Sequence, residues 1–256
     1  MDNLNFQKQE INKISEIEKI QNIVSTGSNE LNIFLGGGYE KGVVTTIFGP
    51  SGSGKTNLCL LAAANIAKTN QKVLIIDTEG GIAAQRIKQL TGENYKEVLE
   101  NILFLQPLTF EDQILAFEKI KTIIKTENII AVIVDSIAML YRLELGKPQA
   151  IFETNSALAR QIGTLVEVAR KQNIPVIMTN QVYSDFNNRN EVKMVGGDLL
   201  KYSSKCLIEL KKQTNQKEES AHKLILHKHR FLSPNSSFIF TIKKKGIEEE
   251  KWKNSS

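Results

Sequence analysis

The sequence predicts an α/β fold: a mostly parallel central sheet flanked by helices, with antiparallel strands at its C-terminal end. Three observations carry that expectation. Short β-rich apolar runs alternate with helical stretches between residues 42 and 180, as in strands buried on both faces and joined by crossover helices. A G-x-x-x-x-G-K-[ST] pattern, residues 49–56, lies between the first long strand and the first long helix. After Gln181 the helices give way to strand-like runs with short connections.

In chain order, residues 8–24 set Ile11, Ile14, Ile17 and Ile20 at helical spacing among Glu and Lys, a short amphipathic helix that packs on the core or on a neighbouring subunit. "GVVTTIFG" (42–49) is a buried strand, followed by a helix from Lys55 to about Thr69. "KVLIID" is the second strand, and "GIAAQRIKQLTG" begins a helix. "NILFLQP" is the third strand, with a helix from Phe110 to Thr126 after it. "IIAVIVD" is the fourth strand, residues 151–172 a long helix, and "IPVIMTN" the fifth strand. "CLIELKKQ", "HKLILHKHR" and "SFIFTIKKKG" read as an antiparallel extension of the same sheet. The chain divides into an N-terminal helical extension (1–21), one large domain (22–248) and a frayed tail (249–256).

The 256 residues fit one large α/β domain, and 41% hydrophobic with 24% charged residues reads as soluble and globular. No apolar run reaches the ~18 residues of a membrane helix, and the first 20 residues lack the apolar core of a secretion signal. Cys59 and Cys206 stand far apart in apolar surroundings. A metal site or disulfide framework is not expected, and a reducing cytoplasm fits. The net charge of +5 is uneven: residues 184–256 hold 15 Lys/Arg against 9 Asp/Glu, and residues 1–183 hold 18 against 19. Such a region either favours polyanions through phosphate contacts and counterion release or is a solvated lysine-rich surface.

The glycine-rich pattern has a specific chemistry. Gly49, Pro50, Ser51, Gly52, Ser53 and Gly54 can turn successive main-chain N–H groups inward onto phosphate oxygens. The helix that opens with Lys55, Thr56 and Asn57 aims its positive end at the same place. Lys55 is expected to reach the β- and γ-phosphates of a nucleotide, and the Thr56 hydroxyl to hold Mg²⁺. Asp135, at the end of a buried strand, either supports that metal or caps the next turn. In "IIDTEGG", either Glu79 or Asp77 is placed to polarise an attacking water.

Several motifs agree on one family. "STGSNELNIFLGGGYEKGVVTTIFGPSGSGKTN" (25–57), "VLIIDTEGG" (73–81), "VIVDSIAMLYR" (132–142), "NSALARQIGTLVEVARKQNIPVIMTNQVY" (155–183) and "GGDLLKYSSK" (196–205) occur in order and at the right separations. Together they resemble the RecA/RadA recombinase superfamily, and within it the archaeal RadB family, over roughly residues 22–248. The resemblance implies a RecA-like P-loop ATPase core. It matches Glu79 to the glutamate that activates water, Asp135 to the aspartate of the magnesium site and Gln181 to the glutamine that senses the γ-phosphate. It sets Arg86 near the adenine, although "AAQR" departs from the family's "RPER".

Lys228 and Arg230, in "KHR", are one residue apart and on a strand would share a face. RecA-like ATPases assemble side by side with ATP at the subunit boundary, and the resemblance makes this pair a Lys-x-Arg element that reaches a neighbour's nucleotide. The competing reading is a basic strand edge that blocks aggregation. DNA contact is expected from Arg142 and Lys147 in the loop after Asp135, and from Phe186, Arg189 and Lys193 in the loop after Gln181.

Only about 20 residues precede the core, so the helical DNA-binding domain of a full strand-exchange protein is not expected. The resemblance therefore implies an accessory protein of homologous recombination that binds ATP, Mg²⁺ and single-stranded or branched DNA, with feeble ATPase activity. Its implied partners are the main recombinase or a junction nuclease, and further copies of itself. Two alternatives stand beside it: a KaiC-like signalling ATPase, and a non-hydrolysing ATP-bound mediator scaffold.

Overall fold

The computed structural model describes residues 22–145, 151–184, 192–214 and 220–249. The expected N-terminal helix, Lys147, Phe186, Arg189 and the tail from residue 250 lie outside these. β1 (Ile23–Val24) and β2 (Tyr39–Glu40) pair antiparallel around α1 (Asn29–Phe34), which Ser28 caps by accepting from the Leu31 N–H. The main sheet takes its strands in order from β3 (Val44–Gly49), β4 (Lys72–Asp77), β5 (Ile102–Leu105), β6 (Ile129–Asp135) and β7 (Val176–Ser184). β8 (Val192–Met194), β9 (Cys206–Thr214), β10 (Ser220–Lys228), β11 (Ser237–Lys243) and β12 (Gly246–Glu249) complete it. The helices are α2 (Lys55–Ala67), α3 (Ala84–Thr91), α4 (Tyr95–Glu100), α5 (Phe110–Thr126), α6 (Met139–Glu144), α7 (Ile151–Gln172) and α8 (Asp198–Ser203).

Among the described residues the sheet runs β12-β11-β10-β9-β3-β7-β6-β4-β5, with β8 paired to β7. β5, β4, β6, β7, β3 and β9 are mutually parallel, and β10, β11 and β12 antiparallel. The two-sided burial read from the apolar runs is realised residue by residue. Ile75 and Ile133 enter one core with Leu58, Ala62 and Ile66 of α2. Their neighbours Leu74, Ile76, Val132 and Val134 enter the other, against Phe117 and Ile120 of α5 and Leu165 of α7. Each such side chain contributes about 1.5–3 kcal/mol by leaving water. The start of α5 is fixed by a capping box: Thr109 accepts from the Asp112 N–H at 3.0 Å and Asp112 accepts from the Thr109 N–H at 3.0 Å. Among the described residues no helix is long and apolar enough to cross a membrane.

Three expectations need correction. β9 runs parallel to β3, so the antiparallel extension begins only at the β9–β10 pair. α8 supplies the chain reversal that makes this possible, and its "DLLKYS" is too short for a clear helical period. β10 ends at Lys228 after an irregularity between Leu226 and Lys228, so Arg230 lies beyond the strand. Strand alternation therefore does not set the faces of Lys228 and Arg230; a bulge re-aims the side chains that follow it.

The register of four parallel strands gathers their ends on one edge. Gly49 pairs with Gln181, and Asp77 with Asp135. β9 presses on the first of these positions: a Cβ on Gly49 would stand 2.2 Å from the Leu210 carbonyl oxygen. Gly49→Ala is therefore expected to lower stability by about 1–3 kcal/mol through overpacking. Urea denaturation checks this, and an unchanged midpoint would contradict the close approach of β9.

Candidate nucleotide site

The edge of the sheet where β3, β7, β6 and β4 end carries a glycine loop, a buried lysine and three carboxylates. The loop turns from β3 into α2 with Gly54 in the left-handed region, φ 99°, and no side chain caps the helix. The first N–H groups of a 13-residue helix are thus left facing the loop. Ser53 is 0% exposed, and its hydroxyl has no hydrogen-bond partner. Lys55 is 6% exposed, and its ammonium donates to the Gly49 carbonyl at 3.0 Å and the Pro50 carbonyl at 2.9 Å. Burial lowers its pKa most, against the raising effect of Glu79 and Asp135. Unsatisfied loop donors and a desolvated ammonium without a paired carboxylate form a cradle for an anion, and phosphate oxygens fit it.

Asp135, 1% exposed, is the node of the site. One carboxylate oxygen accepts from the Thr56 hydroxyl at 2.7 Å, and the other from the Thr179 hydroxyl. A divalent cation that displaced the Thr56 proton from this bond would find a hydroxyl and a carboxylate oxygen side by side. Among the described residues no group of three His, Cys, Asp or Glu side chains is arranged to hold a metal alone. The remaining ligands of a hard cation here would come from phosphate and water.

Asp77 and Glu79, left open by the sequence, separate clearly. Asp77 is 1% exposed and accepts from the main-chain N–H groups of Glu79 (3.2 Å), Gly80 (2.9 Å) and Ile82 (3.3 Å). It holds the turn. Glu79 projects from that turn and accepts from the Gln181 amide at 2.9 Å. Its pKa is raised, first by burial and then by the charge on Asp135. Thr78 staples the two strand ends, donating its hydroxyl to the Ser136 carbonyl at 2.7 Å beside a cis Asp135–Ser136 peptide.

Arg86 is a brace. Its guanidinium donates to the Asn57 side chain (2.8 Å), the Gln89 side chain (3.0 Å) and the carbonyls of Lys243 (3.0 Å) and Lys244 (3.1 Å), tying α3 to α2 and to the β11–β12 turn. Arg142 is exposed in the last turn of α6, whereas its neighbour Tyr141 is buried and donates to Asn155 at 2.6 Å. Tyr141 is thus a strut between α6 and α7. Lys193 sits on β8, in a hairpin with β7. Lys228 and Arg230 lie at the opposite end of the sheet. Lys228 donates to the Lys201 carbonyl at 2.9 Å, and Arg230 pairs with Glu40 at 2.5 Å.

Sequence reasoning missed Thr179, which aligns Asp135, and two groups that press on the loop from β9 and β10. Lys212 Nζ would stand 2.9 Å from a Cβ on Gly52, and its cross-strand partner His222 3.5 Å from one on Gly54. His222 is buried, stacks on Phe240 with ring centroids 5.4 Å apart, and has its pKa lowered chiefly by burial. The one legible signal was the position of Thr179 two residues before Gln181 on the same face of β7. The other two depend on a β9–β10 register that a sequence does not reveal.

A family model described as Rad51 matches residues 18–250. The DNA repair and recombination protein RadB of Methanococcus maripaludis is 42% identical over 219 residues, 85% of this chain and 97% of that protein. The same-named protein of Methanosphaera stadtmanae is 36% identical over 229 residues, 89% of this chain and 96% of that protein. A crystal structure of the RadB recombinase superposes with a TM-score of 0.72 at 34% identity, covering 90% of this chain and all of the other. The RecA-like fold expected from the motifs is thereby confirmed.

The pKa of Asp135 is raised, first by burial, against the lowering effect of its hydrogen bonds from Thr179 and Thr56. A carboxyl that holds its proton more tightly folded than unfolded makes stability fall as pH rises from the ordinary carboxylate range through the raised value. Asp135→Asn removes that penalty. In urea denaturation without divalent metal, the variant is expected to gain stability relative to the parent chain as pH goes from about 4 to about 8. A difference that does not change with pH would contradict the burial argument.

Proposed function

This chain belongs to the Rad51 family and, within it, to the RadB group of DNA repair and recombination proteins, and from that premise we propose that it is an ATP- and DNA-binding accessory protein with weak Mg²⁺-dependent ATPase activity and no strand exchange of its own. The observation that carries this reading is the convergence of Lys55, Thr56, Asp135, Glu79 and Gln181 on one sheet edge. ATP would place its phosphates in the loop 49–54 beside the Lys55 ammonium. Mg²⁺ would lie between Thr56 and Asp135 and neutralise charge on those phosphates.

Glu79 is the one carboxylate at this edge that neither holds a turn nor bonds Thr56, which fits it to orient a water. In the structure it is engaged by Gln181. A γ-phosphate would compete for that amide. The Gln181 carbonyl accepts from the Val195 N–H at 3.2 Å and the Asn180 amide donates to the Val195 carbonyl at 2.7 Å, so β7 is bonded to the chain that returns from the following loop. Nucleotide state and the DNA-facing loop are coupled through these bonds. The exposed Arg142 and the lysine-rich part of the chain after residue 184 would supply the positive charge for DNA phosphates.

Lys55→Ala is expected to weaken ATP binding by about 10- to 100-fold, the worth of a charge-assisted hydrogen bond set. Glu79→Gln is expected to leave affinity unchanged and cut turnover by about 10²–10⁴. Fluorescent-nucleotide titration and phosphate release check both. Equal ATP affinity in Lys55→Ala would contradict the cradle. Repair that survives Glu79→Gln in cells but not Lys55→Ala would identify the scaffold alternative.

Lys228 and Arg230 stand at the far end of the sheet from the loop of their own chain, which favours action on a neighbour's nucleotide. Specific ATPase activity is then expected to rise with protein concentration, and Arg230→Ala to remove the rise. A flat specific activity would contradict the action in trans.

A further inference from the structure

The end of the sheet opposite the phosphate loop carries an apolar pocket of about 430 Å³, bounded by the starts of β4, β6 and β7, the end of α2 and the strand β1. Its wall is made of branched aliphatic side chains. Ile66 and Ile174 are buried, whereas Ile23, Val24 and Ile130 keep part of their surface open. Neutral polar side chains form the rim, and Lys41 is the one charged residue that lines the pocket. We infer that the N-terminal extension (1–21) docks in this pocket on its own chain, with Ile14, Ile17 and Ile20 laid against the aliphatic wall. The inference goes beyond the proposed function and does not depend on nucleotide binding.

The point where the extension joins the core selects this pocket. The Asn22 carbonyl accepts from the Lys41 N–H at 2.7 Å, and the next two residues, Ile23 and Val24, are themselves part of the pocket wall. Glycine packing holds that wall in place: a Cβ on Gly37 would stand 2.8 Å from Ile23 Cδ1. Ile20 precedes Ile23 by three residues, so its Cα lies within about 11 Å of the wall whatever the conformation between them. In a helix, steps of three residues turn by about 60°. Ile14, Ile17 and Ile20 then occupy about 120° of its surface, the width of a core-facing stripe. Glu16 and Glu18 flank Ile17 and fall at the two margins of that stripe, where Lys41 supplies the opposite sign at the rim.

Docking on the same chain is favoured over docking on a neighbour by concentration. A segment joined to the wall of its own site meets it at an effective concentration of order millimolar. The extension of a second copy has to reach the same wall from solution. Docking takes the three isoleucines and the open faces of Ile23, Val24 and Ile130 out of water together. The extension lies mostly ahead of the matched residues 18–250, so membership of the family does not account for it. The docked segment covers the starts of the parallel strands and leaves the phosphate-loop end open.

The test uses the full chain with a cysteine on the pocket rim, Gln71→Cys. Gln71 is exposed, whereas the native Cys59 and Cys206 are buried, so iodoacetamide reads the new thiol. Its labelling is expected to be at least about fivefold slower than in the same chain with Ile17→Asp and Ile20→Asp, which releases the segment. Ile17→Val/Ile20→Val is expected to keep the protection. A Lys245→Cys probe on the exposed β11–β12 turn is expected to label at one rate in every background. Protection that persists across a broad dilution series is the result expected of docking on the same chain. Equal labelling of Gln71→Cys with and without the Asp substitutions overturns the inference. An equal acceleration of Lys245→Cys overturns it too, because the change is then a general loosening. Protection that disappears on dilution overturns it in favour of the extension of a second copy.

Discussion

The site depends on one buried carboxylate. Asp135 ends β6, and its two oxygens reach α2 through Thr56 and β7 through Thr179. The Thr78 staple to Ser136 adds β4 to the same node. A carboxylate taken out of water is costly unless its lone pairs are met, and here each oxygen has a hydroxyl donor. The helix that follows the glycine loop is thereby registered against the middle of the sheet. Glu79, Gln181 and Lys55 inherit their places from that registration.

Much of this was legible in the sequence because the responsible forces are local. The helix expected from Phe110 to Thr126 is the helix found, since a capping box and an apolar stripe fix both its start and its face. The loop at 49–54 could be read because its chemistry demands glycine and lysine at fixed offsets. The sequence was silent where long-range register decides. Whether β9 lies parallel or antiparallel to β3 depends on which edge it joins. Strand alternation assigned Lys228 and Arg230 to one face, and an irregularity one residue long removed the premise. Arg86, expected near a base, spends its donors on Asn57, Gln89 and the β11–β12 turn, partners up to 158 residues away.

The two ends of the sheet carry different kinds of chemistry. One end has a glycine loop, a buried lysine and two carboxylates, Asp135 and Glu79, whose protons burial holds more tightly than usual. The other has exposed cations near helix C-termini. A parallel sheet links them rigidly, because β3 contributes to both ends.

The proposed function turns on the hydrogen bond between Thr56 and Asp135, a hydroxyl and a carboxylate that would hold a divalent cation were a triphosphate bound in the loop. Calorimetric titration of ATP into the protein, in Mg²⁺ and again in a chelator, tests it most directly. The account predicts clearly tighter binding when Mg²⁺ is present. Equal affinity under the two conditions would contradict it.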